Sequence, residues 1–406
     1  WLYEAYFGDA YVFKELYEKY ERATSIKKTK ISAMELFSAL VKERAETGRI
    51  YIMNVDHCNT HSSFKDKVYM SNLCQEITLP TKPLTHIDDP EGEIALCILS
   101  AINVGVIKNL DDLEELCELA VRALEEIIDY QKYPIKAAEI STKARRSLGV
   151  GYIGLAHYLA KHHVNYADQK AWTMVHDLTE AFQYYLLKAS NKLAQERGAC
   201  EYFNRTKYSD GILPIDTYKT DVDNIVENKL NYDWDSLRTS IKEHGLRHST
   251  LSAQMPSESS SVVSNATNGI EPPRGYLSVK KSKKGPLKQI VPQYQTLKNY
   301  YSLLWDMPSN EGYINVVAVM QKFFDQAISG NWSYNPTHFE NNEVPMSVMI
   351  GDLLNTYKYG WKTSYYQNTY DYKVDPSEIE EDKPEQALAP STIDTSEEEA
   401  CDSCAI

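Results

Sequence analysis

The stretch SNLCQEITLP, residues 71–80, sets one of the chain's 7 cysteines between an asparagine and a glutamate, each two residues away. In an extended segment side chains alternate between faces, so Asn72, Cys74 and Glu76 are expected on one face. That face would present an amide that can hydrogen-bond, a thiol and a carboxylate to a single spot. Read alone, the stretch also fits a strand carrying one buried thiol.

Working outward, 406 residues admit one large domain or two to three ordinary ones. Hydrophobic residues at 43% and charged residues at 25% are ordinary for a globular chain. The net charge of −14 argues against a general nucleic-acid binder, which would carry a basic footprint. Most of that charge sits in residues 371–406, where 12 acidic residues face 2 lysines. No apolar run approaches the ~20 residues of a spanning helix, and the first residues lack the basic start of a secretory signal. An odd number of scattered cysteines reads as reduced thiols in a cytoplasmic protein rather than a disulfide scaffold.

Periodicity predicts a helix over NLDDLEELCELAVRALEEIIDY (109–130), with Asn109 as N-cap and Leu113, Leu116, Cys117, Ala120, Val121, Leu124, Ile127 and Ile128 on its apolar stripe. Two more helices are expected over 178–197, stopped by Gly198, and over VVAVMQKFFDQAISG (316–330). Short β-rich runs, RIYIMNV (49–55) and GYLSVK (275–280), lie between helices, and residues 276–292 read as a hairpin with a lysine-rich turn. The alternation favours an α/β architecture over residues 1–370. Beyond 371 the proline and acid content predicts a disordered tail.

Four further motifs bear on chemistry. LGVGYIG (148–154) has the glycine spacing of a dinucleotide fingerprint, but KARRS before it is no buried strand, so a Rossmann site is rejected. Pro256 followed by Ser257, Glu258, Ser259, Ser260 and Ser261 reads as a helix start whose free N–H groups and hydroxyls could hold a phosphate, or as a plain capped helix. Tyr365 and Tyr366 are adjacent in a chain with 30 tyrosines, so packing is their default reading. Cys401 and Cys404 form a C-x-x-C in the acidic tail, better suited to a swinging redox dithiol than to zinc, which usually wants four ligands.

The order of these pieces, with GRIYIMNVDHCNTHSSF, GEIALCILSAINVG, HGLRHSTLSAQMPSESSS, SNATNGIEPPRGY and YYQNT, resembles the C-terminal part of the large, catalytic subunit of class I ribonucleotide reductases, over almost the whole chain. The resemblance implies the C-terminal half of a ten-stranded α/β barrel, with the reactive cysteine on a finger loop through its centre. It implies that Cys74 becomes a transient thiyl radical and removes the ribose 3′ hydrogen, that Glu76 takes the 3′-hydroxyl proton, and that Asn72 hydrogen-bonds the sugar, with Leu73 and Gln75 completing that wall. Cys97 would be one half of the dithiol that reduces the ribose. Pro256, Ser257, Glu258, Ser259 and Ser260 would cradle the substrate diphosphate, and Tyr365 and Tyr366 would relay the radical. Cys401 and Cys404 would re-reduce the active-site disulfide and be recharged by thioredoxin or glutaredoxin. No metal is expected in the chain itself, since the radical would come from the metal cofactor of a small subunit.

The chain departs from the family in three respects. It is roughly half the family's length and lacks the N-terminal part, its tail cysteines stand closer together, and its cradle reads SESS where a threonine is common. Two readings of that length stand open: one piece of a split large subunit, working in a hetero-oligomer with an N-terminal polypeptide and the small subunit, or a fragment of an intact large subunit. Two rival readings are a non-catalytic module docking the small subunit near VPMSVMIGDLLNTYKYGWK (344–362), and a stand-alone thiol-disulfide oxidoreductase using the tail cysteines.

Overall fold

The computed structural model describes residues 2–282 and 285–371. The tail dithiol Cys401 and Cys404, and almost all of the segment 371–406, lie outside the described residues. Among the described residues are strands β1 (Ile52–Met53), β2 (Ile98–Asn103), β3 (Leu148–Ile153), β4 (Leu277–Ser282), β5 (Gly285–Ile290), β6 (Trp332–Tyr334), β7 (Thr363–Ser364) and β8 (Gln367–Thr369).

The layer that positions the site is longer than these labels suggest. β2 runs parallel to β3, from Ile98 opposite Leu148 to Asn103 opposite Ile153. Residues 250–254 lie along the other side of β3, through Leu148 N to Thr250 O at 3.1 Å and Ala253 N to Val150 O at 3.2 Å. Residues 326–329 follow, through Gln326 N to Ser252 O at 3.1 Å and Ser329 N to Gln254 O at 2.9 Å. The last segment bonds through Tyr365 N to Gly330 O and Trp332 N to Tyr366 O, both 2.8 Å, and β8 runs parallel to β6. Chain segments in sequence order thus lie side by side, with helices in the connections, as parallel strands require. Every residue of β3 is buried, as expected of a strand covered on both faces. The described strands do not close into a ring, since β2 and β8 have no bond to one another. β1 pairs antiparallel with β7, and β4 with β5 as the expected hairpin.

The helix of the opening periodicity spans Asp112–Tyr130. The helix starts later than expected, its N-cap position being Asp111, whose side chain makes no capping bond, while Asn109 Oδ1 accepts from the N–H groups of Asp111 and Asp112 at 2.9 and 3.3 Å in the turn before it. Leu113, Cys117, Val121, Leu124 and Ile128 are buried against the long helix Gln169–Arg197, each such side chain contributing about 1.5–3 kcal/mol of transfer free energy. Ile127, expected on that stripe, is 42% exposed, because the stripe is narrower than the run of apolar residues. The second helix ends at Arg197 with Gly198 at a φ of 85°, as its sequence implied.

One expectation needs correction. The helix expected over 316–330 is Glu311–Gln321, and the residues FFDQAISG leave it to join the parallel layer. The polar groups of Asp325 and Gln326 find buried partners there that a helix surface would not offer. As the rejection of a dinucleotide site implied, LGVGYIG does not follow a strand: Gly149 and Gly151 lie inside β3, and Gly154, at a φ of 82°, stands between it and the helix Leu155–Lys161. A Cβ on Gly149 would stand 2.6 Å from Leu99 Cδ2 and 2.8 Å from Cys97 Sγ, so this glycine makes room for two side chains of β2 and its approach.

Candidate active site

The stretch SNLCQEITLP is a turn, not the extended segment expected, and the turn does what alternation was expected to do. Gln75 N donates to Asn72 O at 3.2 Å, Asn72 N to Ile77 O at 3.2 Å, and Gln75 takes a left-handed φ of 71°. Asn72 Oδ1 accepts from Ile77 N at 3.0 Å, so the amide closes its own loop. The Asn72 amide lies near enough to the Glu76 carboxyl to favour its ionised form, so the turn brings the two ends of the stretch 72–76 together.

The layer grips this tip from behind. Ala327 N donates to Glu76 O at 3.0 Å, and Ser329 Oγ donates to Glu76 Oε2 at 3.2 Å and also to the Cys74 carbonyl. Glu76 is 2% exposed. Burial raises its proton affinity, and the nearby Asn72 amide and the bond from Ser329 oppose that shift without cancelling it.

An aromatic cluster reaches the thiol from the other side. The Tyr365 hydroxyl donates to Cys74 Sγ at 3.6 Å. The Tyr365 and Tyr366 ring centroids are 4.2 Å apart at 52°, and Tyr51 lies 4.7 Å from Tyr365 and 5.3 Å from Tyr366. Burial, with Tyr366 and Cys74 beside it, holds the Tyr365 phenol well above its ordinary pKa, so it keeps its proton at any physiological pH. The buried Arg44 fixes the pair by its main chain, donating to Tyr365 O at 2.8 Å and Tyr366 O at 3.4 Å while lying 4.6 Å over the Trp332 ring. Gly330 opens the passage for this segment, since a Cβ there would stand 2.5 Å from the Trp361 ring.

Cys97 approaches from just before β2. It is half-buried, and Gln326 Nε2 donates to its sulfur at 3.7 Å. Burial pushes the thiol up, the Gln326 amide pulls it down, and the Glu76 charge adds to the rise.

The serine stretch follows directly on the segment 250–254 of the same layer. Ser257 caps the six-residue helix Glu258–Val263, with Ser257 buried and Ser259 and Ser260 exposed. The link to the finger loop runs through Gln254, whose carbonyl accepts from Ser329 N.

Ser329, Gln326, Lys362, Arg44 and Tyr51 were missed from sequence. The polar pair Asp325–Gln326 inside the apolar run FFDQAI was the available signal. His176, Asp177 and Glu180 also offer donor atoms within 4.8 Å of one another. Glu180 is occupied otherwise, accepting from the Asn231 and Tyr232 N–H groups and the Trp234 indole at 2.7, 3.2 and 3.0 Å.

The parallel layer thus carries a thiol in contact with a phenol, with a buried carboxylate two residues along the same turn. The chain belongs to the ribonucleotide reductase family, residues 2–367 matching the family described as ribonucleotide reductase, barrel domain. It is 60% identical over 380 residues to the ribonucleoside-diphosphate reductase subunit alpha of Haemophilus influenzae, covering 93% of this chain and 50% of that one. The corresponding subunit of Escherichia coli, reductase 1, is 58% identical over 373 residues, 91% of this chain and 49% of its own. That of Enterobacteria phage T4 is 44% identical over 396 residues, 96% of this chain and 52% of its own. The chain thus spans about half the length of the curated relatives it matches.

Proposed function

We propose that this chain carries the radical-bearing half of a catalytic subunit that reduces ribonucleoside diphosphates to deoxyribonucleoside diphosphates. The observation that carries the reading is the Tyr365 hydroxyl on Cys74 Sγ at 3.6 Å, at the end of a file of touching tyrosine rings. Once the radical passed from the small subunit has made Tyr365 a phenoxyl radical, its oxygen takes the hydrogen atom of the Cys74 S–H across that contact, restoring the phenol and leaving a sulfur radical able to take the 3′ hydrogen of a ribose. Glu76, ionised, accepts the 3′-hydroxyl proton, and Asn72 orients the sugar, with Leu73 and Gln75 forming the wall between them. Cys97 contributes one thiol of the reducing pair.

Pro256 to Ser260 hold the diphosphate, with the exposed hydroxyls of Ser259 and Ser260 toward the ligand. The metal cofactor of a small subunit supplies the radical. Cys401 and Cys404 return electrons from thioredoxin or glutaredoxin. The parallel layer is half of the ten-stranded barrel, and the remaining strands come from the N-terminal part of the large subunit.

The test is reconstitution with that N-terminal part and the small subunit, assaying ribonucleoside diphosphate reduction with dithiothreitol. Cys74→Ser is expected to abolish turnover and Cys401→Ser to keep it, because dithiothreitol bypasses the tail. Activity retained by Cys74→Ser would defeat the reading.

A further inference from the structure

The side chain of Gln326 has no part in the chemistry so far, yet it is fully buried and all its polar capacity is spent between the two reactive segments. Nε2 donates one hydrogen to Leu148 O at 2.8 Å and the other to Cys97 Sγ at 3.7 Å. Oε1 accepts from Thr78 N at 3.4 Å, on the finger loop two residues after Glu76. The orientation of the amide is thereby fixed, since Leu148 O needs a donor and Thr78 N an acceptor.

Its backbone is held as firmly. Lys362 Nζ donates to the carbonyls of Phe324, Asp325 and Gln326 at 3.3, 2.8 and 2.8 Å. The Asp325 carboxylate accepts from Tyr208 Oη and from the N–H groups of Leu251 and Ser252 at 2.8, 2.9 and 2.9 Å. An amide hydrogen is thus delivered to sulfur by a scaffold that leaves the side chain little freedom to withdraw it.

We propose that Gln326 is a catalytic residue of the Cys97 thiol, its amide hydrogen stabilising the negative charge that grows on Sγ as the S–H proton leaves. A donor aimed at the sulfur favours the thiolate over the thiol, and a bond to a charged acceptor is the stronger kind. The direction of the shift that Gln326 exerts on Cys97 agrees, and it opposes both burial and the charge of Glu76. This deepens the reading above and rests on it only for its place in turnover. There Cys97 and a second thiol give up two protons and two electrons to form a disulfide. The ribose carbon takes up those electrons and one proton, while its hydroxyl leaves with the other as water.

The thiol itself can be tested without turnover. The full chain is alkylated with iodoacetamide across pH 6–10 and the rate at each cysteine is followed by peptide mass spectrometry, the S–H proton going to solvent and iodide leaving as the S–C bond forms. Burial keeps Cys97 mostly protonated over this range, so its rate at each pH reports the thiolate fraction. Gln326→Met, which keeps the length and removes the donor, is expected to slow Cys97 alkylation by about three- to tenfold at each pH. Gln326→Glu, near-isosteric and bringing an acceptor to the sulfur, is expected to slow it further, with the Cys74 rate unchanged in both. An unchanged Cys97 rate, or Cys74 and Cys97 changing together, overturns the proposal, the second because it marks a loop merely loosened. Failure of ribonucleotide reduction in the reconstituted enzyme would instead count against the reading of function and leave these rates standing.

Discussion

Glu76 acts as a base only while ionised, and its surroundings make ionisation harder than for an exposed carboxylate. Because the folded pKa is raised, activity is expected to fall as pH drops through a value above the ordinary glutamate range of ~4.3, the protonated acid being unable to take a proton. The pH–kcat profile of the reconstituted enzyme checks this, and an acid limb at or below the ordinary range would contradict it. Glu76→Gln keeps the shape and an acceptor for Ser329, so it is expected to lower kcat by ~10²–10⁴-fold while the melting temperature stays within a few degrees. At this scale much was legible: a thiol between an amide and an acid is visible in five letters. The geometry that joins them was not, because alternation and a tight turn both bring residues 72 and 76 together. Only the left-handed backbone at Gln75 distinguishes the two.

The segment 322–330 shows why elements were harder to read than residues. Its apolar letters continue the helical stripe of Glu311–Gln321, and local propensity has no term for what Asp325 meets across the layer. That acid draws two backbone N–H groups from residues 251 and 252, and such long-range partners decide against the helix. Lys362 completes the arrangement: fully buried, it is pulled by burial down to about 7, while three carbonyls favour its ammonium form. Lys362→Met leaves those carbonyls without their donor and is expected to cost about 2–4 kcal/mol. Urea unfolding at pH 7 measures the loss, and a cost below about 0.5 kcal/mol would show that the clamp contributes nothing. The helix 112–130, by contrast, was legible almost to its ends, since its stripe is a local property.

At the scale of the whole molecule, ion pairs tie the helical layer to the strands. Glu125, fully buried on the helix Asp112–Tyr130, accepts from Arg146, Arg247 and His248 at 2.8, 2.6 and 2.9 Å. Burial alone would raise its pKa, but His248, Arg146 and Arg247 together outweigh it and hold the carboxyl well below the usual range. Its stabilisation is therefore fully present above the unfolded value of ~4.3 and lost progressively as pH falls below that value toward the folded pKa. Glu125→Gln strands buried cations and is expected to cost about 3–5 kcal/mol at pH 7, with the gap to wild type narrowing below pH 4. Urea midpoints at several pH values check both the size and the sign. The outer edge of the layer carries the last consequence. Among the described residues β2 pairs on one side only, and Leu96 and Leu99 beside and on it are 37% and 43% exposed. An unpaired strand edge with exposed leucines favours pairing with another chain. The chain by itself is therefore expected to self-associate in sedimentation velocity. Addition of a polypeptide matching the other half of the family's length is expected to convert the aggregate to a defined heterodimer. Leu99→Glu should weaken both associations together, since the same edge serves them. A monomeric chain indifferent to that polypeptide would mean that the layer is complete as it stands.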